Sequence, residues 1–160
     1  MRKCYPNHRF MVSESECGNG SMDWKAGEHT FFLLSDNLGN GCDEYYNWNF
    51  ILKDNGISPW GWTQNALIQV DSKTRKKRYT AEYYAYKHFS HFVQKGTEML
   101  AYAGREYSKT PVVVFKDKKG QYIVTVGNFT DELASLSVKI GKKYLNVQAK
   151  THSLNTYIWK

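Results

Sequence analysis

A chain of 160 residues has room for one domain, or for a small domain and part of another. Its formal charge of +7 owes much to one run, Lys73-Thr-Arg-Lys-Lys-Arg78, and no nucleic-acid motif accompanies that run, so no nucleic-acid partner is expected. No stretch approaches the ~20 apolar residues of a membrane span, which excludes a transmembrane segment, and Met1-Arg-Lys-Cys-Tyr-Pro6 is not followed by the apolar core of a signal peptide.

Cys4, Cys17 and Cys42 are an odd count without metal-ligand spacing, and so define neither a disulfide framework nor a metal site. Aromatic residues make up 16% of the chain, with 12 Tyr and 5 Trp. That suits a densely packed β-rich protein, or a surface on which rings stack against the C–H faces of sugars. N-glycosylation triplets begin at Asn19 and Asn128, and matter only if the chain passes through a secretory route.

In chain order, the first informative stretch runs from Phe10 to Gly20. Its apolar, β-compatible start and its glycine-rich end predict a strand that stops near Glu14. On a strand, Glu14 and Glu16 share a face and could reach one cleft. A pair of solvated acids at a strand end is the alternative. Ser21 or Asp23 can then cap a helix in which Trp24, Phe31, Leu34 and Leu38 form the apolar stripe and Gly39 and Gly41 end the run. The following Asp43–Leu52 alternates as a strand, with Tyr46, Trp48, Phe50 and Leu52 on one face. Strand, helix and strand at this spacing fit a parallel crossover, which places Glu14 and the end of the second strand on one rim.

A loop rich in turn formers follows, from Asp54 to Asn65, and carries Trp60 and Trp62. These rings either pack down or wall a sugar subsite. Ala66–Asp71 and Lys76–Thr80 read as a hairpin across the basic turn. Thr80 can cap a helix whose stripe is Ala85, Phe89, Phe92 and Val93. His88 and His91 on that helix lack further ligands, which favours packing over metal binding. From Met99 onward the pattern changes to short strands, 111–115, 121–126, 134–140, 144–149 and 153–159, with Gly120, Gly127 and Gly141 expected at turns. An antiparallel sandwich is the expected architecture, with a domain boundary that divides the chain into 1–98 and 99–160.

Ser13-Glu14, Trp48-Asn49, the tryptophan loop ending in Asn65, Tyr83-Tyr84, His88-Phe-Ser-His-Phe92 and His152-Ser-Leu-Asn-Thr156, in this order, resemble the C-terminal part of glycoside hydrolase family 30, whose best-known activity is glucosylceramidase. The resemblance implies the last two strand–helix units of a (β/α)8 barrel followed by an antiparallel β-sandwich. It also implies retaining hydrolysis of a β-linked glycoside, with glucosylceramide, β-glucan and xylan as substrate classes. In that family the nucleophile follows a Ser or Thr at the end of a barrel strand, which falls on Glu14. Glu16 is the runner-up on strand geometry alone.

The family's general acid/base belongs to an Asn-Glu pair, and this sequence has none. A retaining mechanism needs two carboxyl groups about 5–5.5 Å apart, so the chain reads as the tail of a longer enzyme whose missing N-terminal barrel part supplies the other. Trp48 would stack on the sugar, and Asn65 would donate to a sugar hydroxyl or order the loop. Tyr45, Trp60 and Trp62 are weaker substrate-binding candidates. No cofactor and no metal is implied, and by resemblance the enzyme is secreted or lysosomal. The alternative reading is a non-catalytic carbohydrate-binding or structural module.

Overall fold

The computed structural model describes residues 4–54, 56–103 and 108–160. Strand β1 (Met11–Val12) leads through a loop into helix α1 (Trp24–Gly39) and then to β2 (Glu44–Tyr45). The two strands pair in parallel, Met11 opposite Glu44 and Val12 opposite Tyr45. Asp23 caps α1 by accepting from the Ala26 amide at 2.9 Å. Trp24, expected in the buried stripe, is 42% exposed, whereas Phe31 and Leu34 are enclosed. Gly27 takes the place of a bulky contact: a Cβ there would lie 2.8 Å from the Ala81 Cβ, and its absence lets the two helices approach closely.

The strand expected over residues 43–52 is broken in two, into β2 and β3 (Ile51–Lys53). The reason is loss of a partner. The Tyr46 amide still bonds the Val12 carbonyl, but β1 ends there, and the next residues bond to side chains instead. Asn47 Nδ2 bends the chain by donating to the Asn49 carbonyl at 2.7 Å, and the Trp48 amide donates to Ser15 Oγ at 3.0 Å. Tyr46, Trp48 and Phe50 are left exposed and share no common strand with Leu52.

Beyond the tryptophan loop, β4 (Ile68–Val70) runs parallel to β3, and β5 (Lys77–Tyr79) returns antiparallel to β4 across the basic turn. Thr80 then caps α2 (Ala81–Ser90), accepting from the Tyr83 amide while its own hydroxyl donates to the Ala66 carbonyl at 2.7 Å. The start of the helix is thereby pinned to the end of the loop before β4. Among the described residues the parallel strands close no barrel.

The remainder comprises β6 (Glu98–Ala103), β7 (Val112–Lys116), β8 (Tyr122–Asn128), the hairpin β9 (Ala134–Ile140) and β10 (Lys143–Ala149), and β11 (Ser153–Trp159). Four of these form one antiparallel sheet in the order β11-β8-β7-β6. A sandwich strand with one face to solvent would bury only alternate residues, yet Val112 to Phe115 are all buried. The sheet is covered on both faces. Val112, Val114, Val124 and Val126 meet Val147 and Ala149 of the hairpin, while Val113, Phe115 and Ile123 share a second cluster with Phe31, Leu34, Ala85 and Phe89 of the helices. A continuous apolar run is what burial on two faces demands.

Gly120 and Gly141 occupy turns with φ of 81° and 61°. Gly127 does not: it lies within β8, where a Cβ would come 2.7 Å from Phe129 Cε1 and 3.1 Å from Phe31 Cδ1. Asn128 is fully buried and donates to the Glu132, Ala149 and Lys150 carbonyls, so in the folded chain it is no glycan acceptor.

His152 ties the two parts of the chain together. It stands in a left-handed turn before β11, with Nε2 2.9 Å from Asp131 Oδ1 and Nδ1 2.8 Å from Glu28 Oε1 on α1. The bonds to Asp131 and Glu28 raise its pKa above the ordinary 6.5. Its stabilising effect is therefore fully present below the unfolded value and lost as pH rises through the folded one. His152→Asn keeps a residue that tolerates the left-handed backbone and should lower Tm at pH 6 by clearly more than at pH 8.5. Equal losses at the two pH values would show that the imidazolium contributes nothing.

Candidate functional site

β1 stops at Val12, two residues short of Glu14, and Ser13 to Gly20 form an irregular loop. Strand alternation therefore does not relate Glu14 to Glu16. Both are exposed, but their surroundings differ. Glu16 Oε2 lies 2.9 Å from His29 Nε2 on α1, whereas Glu14 has no hydrogen bond or ion pair among the described residues.

Ser15 holds the loop in place. Its hydroxyl donates to Asn47 Oδ1 at 3.1 Å and accepts from the Trp48 amide at 3.0 Å, so the segment after β1 is bonded to the segment after β2. Glu14 and Trp48, the latter 38% exposed, are brought to one rim of the parallel pair. Sequence reasoning did not single out Ser15 or Asn47. A serine beside an acid has no spacing signature, and its role appears only once β2 is beside it.

The tryptophan loop is a tight projection. Ile57 and Thr63 bridge, the Ser58 amide donates to the Trp62 carbonyl at 2.8 Å, and Trp62 N reaches back to Ser58 Oγ. Trp60 and Trp62 are 72% and 56% exposed, with ring centroids 5.7 Å apart and planes at 35°. They do not pack down. Thr63 Oγ1 donates to the Asn19 carbonyl at 2.8 Å, bracing this loop against the one that carries Glu14.

Asn65 is buried at 6% exposure, and both ends of its amide are engaged. Oδ1 accepts from the Gly20 amide at 2.7 Å and Nδ2 donates to Glu82 Oε1 at 3.1 Å. The side chain orders the loop rather than standing free at its surface. Tyr45 also lies below the rim. It packs against the helical core with its ring 6.1 Å from that of Tyr86, and burial pushes its pKa up to about 12.

Glu82 in the first turn of α2 is the functional-site neighbour that the sequence did not reveal. It is buried, and burial raises its pKa against the lowering effect of its bonds from Asn65 and Thr30. An acid in the first turn of a helix is so ordinary that no pattern marks this one. His88, half-buried, sets Nδ1 2.9 Å from Thr156 Oγ1 and lies edge-on to Phe31, and burial lowers its pKa. Among the described residues no group of three or more His, Cys, Asp or Glu could hold a metal ion, and no helix is long and apolar enough to cross a membrane.

No protein-family profile matches the sequence. Solved structures do match its fold. SrfJ from Salmonella typhimurium superposes with a TM-score of 0.86 at 21% identity, over 99% of this chain and 36% of that one. An endo-β1,6-glucanase gives 0.81 at 19% identity, over 99% and 37%. A glycoside hydrolase family 30 endoxylanase from Clostridium papyrosolvens gives 0.70 at 9% identity, over 99% and 43%. The fold is glycoside hydrolase family 30-like. The chain spans well under half the length of each of these structures, and at such identities the likeness is one of fold.

Proposed function

We propose that this chain is the part of a retaining β-glycosidase that carries the nucleophile, and that Glu14 is that nucleophile. The observation that carries the reading is the placement of Glu14. It lies just past the end of a parallel strand, exposed and unpaired among the described residues, on a loop tied by Ser15 to the segment bearing Trp48. In parallel α/β architectures the carboxyl ends of strands are where active sites form. Glu14 attacks the anomeric carbon, a glycosyl-enzyme forms as the leaving oxygen is protonated, and water then displaces the sugar.

The second carboxyl group comes from outside this chain. Glu16 is engaged with His29, and Glu82 is buried beneath the loop. The last two strand–helix units of a (β/α)8 barrel, completed by a preceding segment that contributes the general acid/base, account for both facts. Trp48 stacks on the sugar beside Glu14, and Trp60 and Trp62 extend the stacking surface outward. The substrate is a β-linked glycoside, with glucosylceramide, a β-glucan and xylan as the classes to be tried.

The exposed Trp60–Trp62 pair also favours a second reading, a carbohydrate-binding module without turnover. One experiment separates the two. The chain completed by its preceding barrel segment is incubated with an activated 2-deoxy-2-fluoro-sugar, the β-glucoside and the β-xyloside in turn, which traps a glycosyl-enzyme, and the labelled peptide is sequenced. An adduct on Glu14 is expected. An adduct on Glu16 reassigns the nucleophile, and sugar binding without any adduct favours the binding module.

A further inference from the structure

Glu82 is 7% exposed, although carboxylates are almost never enclosed unless they are paired. Its Oε1 accepts from Thr30 Oγ1 on α1 at 3.2 Å and from Asn65 Nδ2 at 3.1 Å. Its Oε2 has no hydrogen-bond partner among the described residues. Glu82 lines a cavity of about 40 Å³ together with Ser15, Glu16 and Gly18 of the loop after β1 and with His29 and Tyr45. That volume admits a water molecule.

Asn65 passes the restraint onward. Its Oδ1 accepts from the Gly20 amide at 2.7 Å, and its backbone N–H donates to the Cys17 carbonyl at 2.7 Å. Gly18 sits so close that a Cβ there would collide with Asn65 Cγ. One carboxyl oxygen on α2 thus fixes the orientation of the side-chain amide that holds Gly20, while the backbone N–H of the same residue holds Cys17 at the other end of the turn. With that oxygen gone, nothing on α2 prevents the Asn65 amide from rotating, and a buried N–H is left unpaired.

We infer that Glu82 is a positioning residue: acting through Asn65, it sets the course of the loop from Ser15 to Gly20 and hence the place of Glu14 at the end of β1. The catalytic half of this inference rests on the reading of Glu14 as nucleophile, whereas the loop half does not. Gln at position 82 keeps an oxygen for Asn65 and Thr30. Leu keeps the bulk and removes it.

The loop half is read by amide hydrogen exchange on the 160-residue chain. Glu82→Leu should speed exchange of the Gly20 amide roughly tenfold or more, while amides of β7 and β8 keep their protection and Glu82→Gln restores the native rate. Asn65→Asp keeps an oxygen for the Gly20 amide but removes the N–H that Glu82 holds, with Glu82 itself unchanged. It should speed Gly20 exchange likewise, and it serves if the Leu variant does not fold. Unchanged Gly20 exchange in these variants overturns the inference.

The catalytic half is read in the barrel-completed protein. Glu82→Leu should lower kcat on an aryl β-glucoside by roughly 10²-fold with KM little changed, because a small displacement of the attacking group acts on the chemical step. Glu82→Gln should recover most of that loss. A native kcat with a loosened loop overturns the positioning role. Failure of the fluorosugar to label Glu14 in the unaltered protein overturns the nucleophile reading, and with it the catalytic half, while the exchange result stands.

Discussion

Glu14→Gln in the barrel-completed protein is expected to lower turnover of an aryl β-glucoside roughly 10⁴-fold or more, with substrate binding nearly intact. Gln preserves the shape of the side chain but cannot attack the anomeric carbon, and loss of a nucleophile removes the covalent route as a whole. The structure gives little reason for secondary damage. Glu14 is exposed and holds no hydrogen bond or ion pair among the described residues, so its replacement breaks no internal contact. Glu16→Gln should be much milder. It weakens a pair with His29 in which both side chains are more than half exposed, and surface pairs contribute on the order of 0–1 kcal/mol. Steady-state kinetics of the two variants decide the matter, and a larger loss for Glu16→Gln would reverse the assignment.

What was legible in the sequence is what local pattern determines. The strands from β7 to β11 are bounded by turn residues and could be placed closely, and Asp23 and Thr80 cap the helices as side chains of their type do. Glu14 could be singled out because it follows a predicted strand, whereas Trp48 was singled out through the family resemblance alone. What was not legible depends on partners distant in sequence. The run 43–52 alternates well enough to be one strand, but β1 is too short to support it, so β2 and β3 found different neighbours. Gly127 looks like a turn glycine and is a strand glycine, because Phe31 and Phe129 crowd it from elsewhere in the chain. Glu82 is a polar residue in a polar setting until the fold buries it against Asn65. Burial of a paired polar group leaves no periodic trace.

The same distance in sequence makes Phe31 the residue on which the two parts of the fold depend. It is fully buried, with its ring 5.0 Å from that of Phe89 on α2 and 6.2 Å from Phe129 just after β8, and it belongs to the cluster that includes Val113, Phe115 and Ile123 of the sheet. Phe31→Ala should cost about 3–5 kcal/mol, since the lost contacts come from helix and sheet alike and neither can collapse into the space without moving the other. For a chain of this size each kcal/mol lowers Tm by roughly 2–4 °C. The shift should be seen as one transition, because the apolar face that β7 and β8 turn toward the helices has no other cover among the described residues. Thermal melts followed by far-UV circular dichroism and by tryptophan fluorescence should therefore coincide before and after the substitution. Trp24, Trp48, Trp60 and Trp62 report from the part that carries the helices and Trp159 on β11 from the sheet. Two separate transitions, of which Phe31→Ala moves only the one not reported by Trp159, would show that the sheet and hairpin hold together without the helices, and that the shared cluster does not couple them.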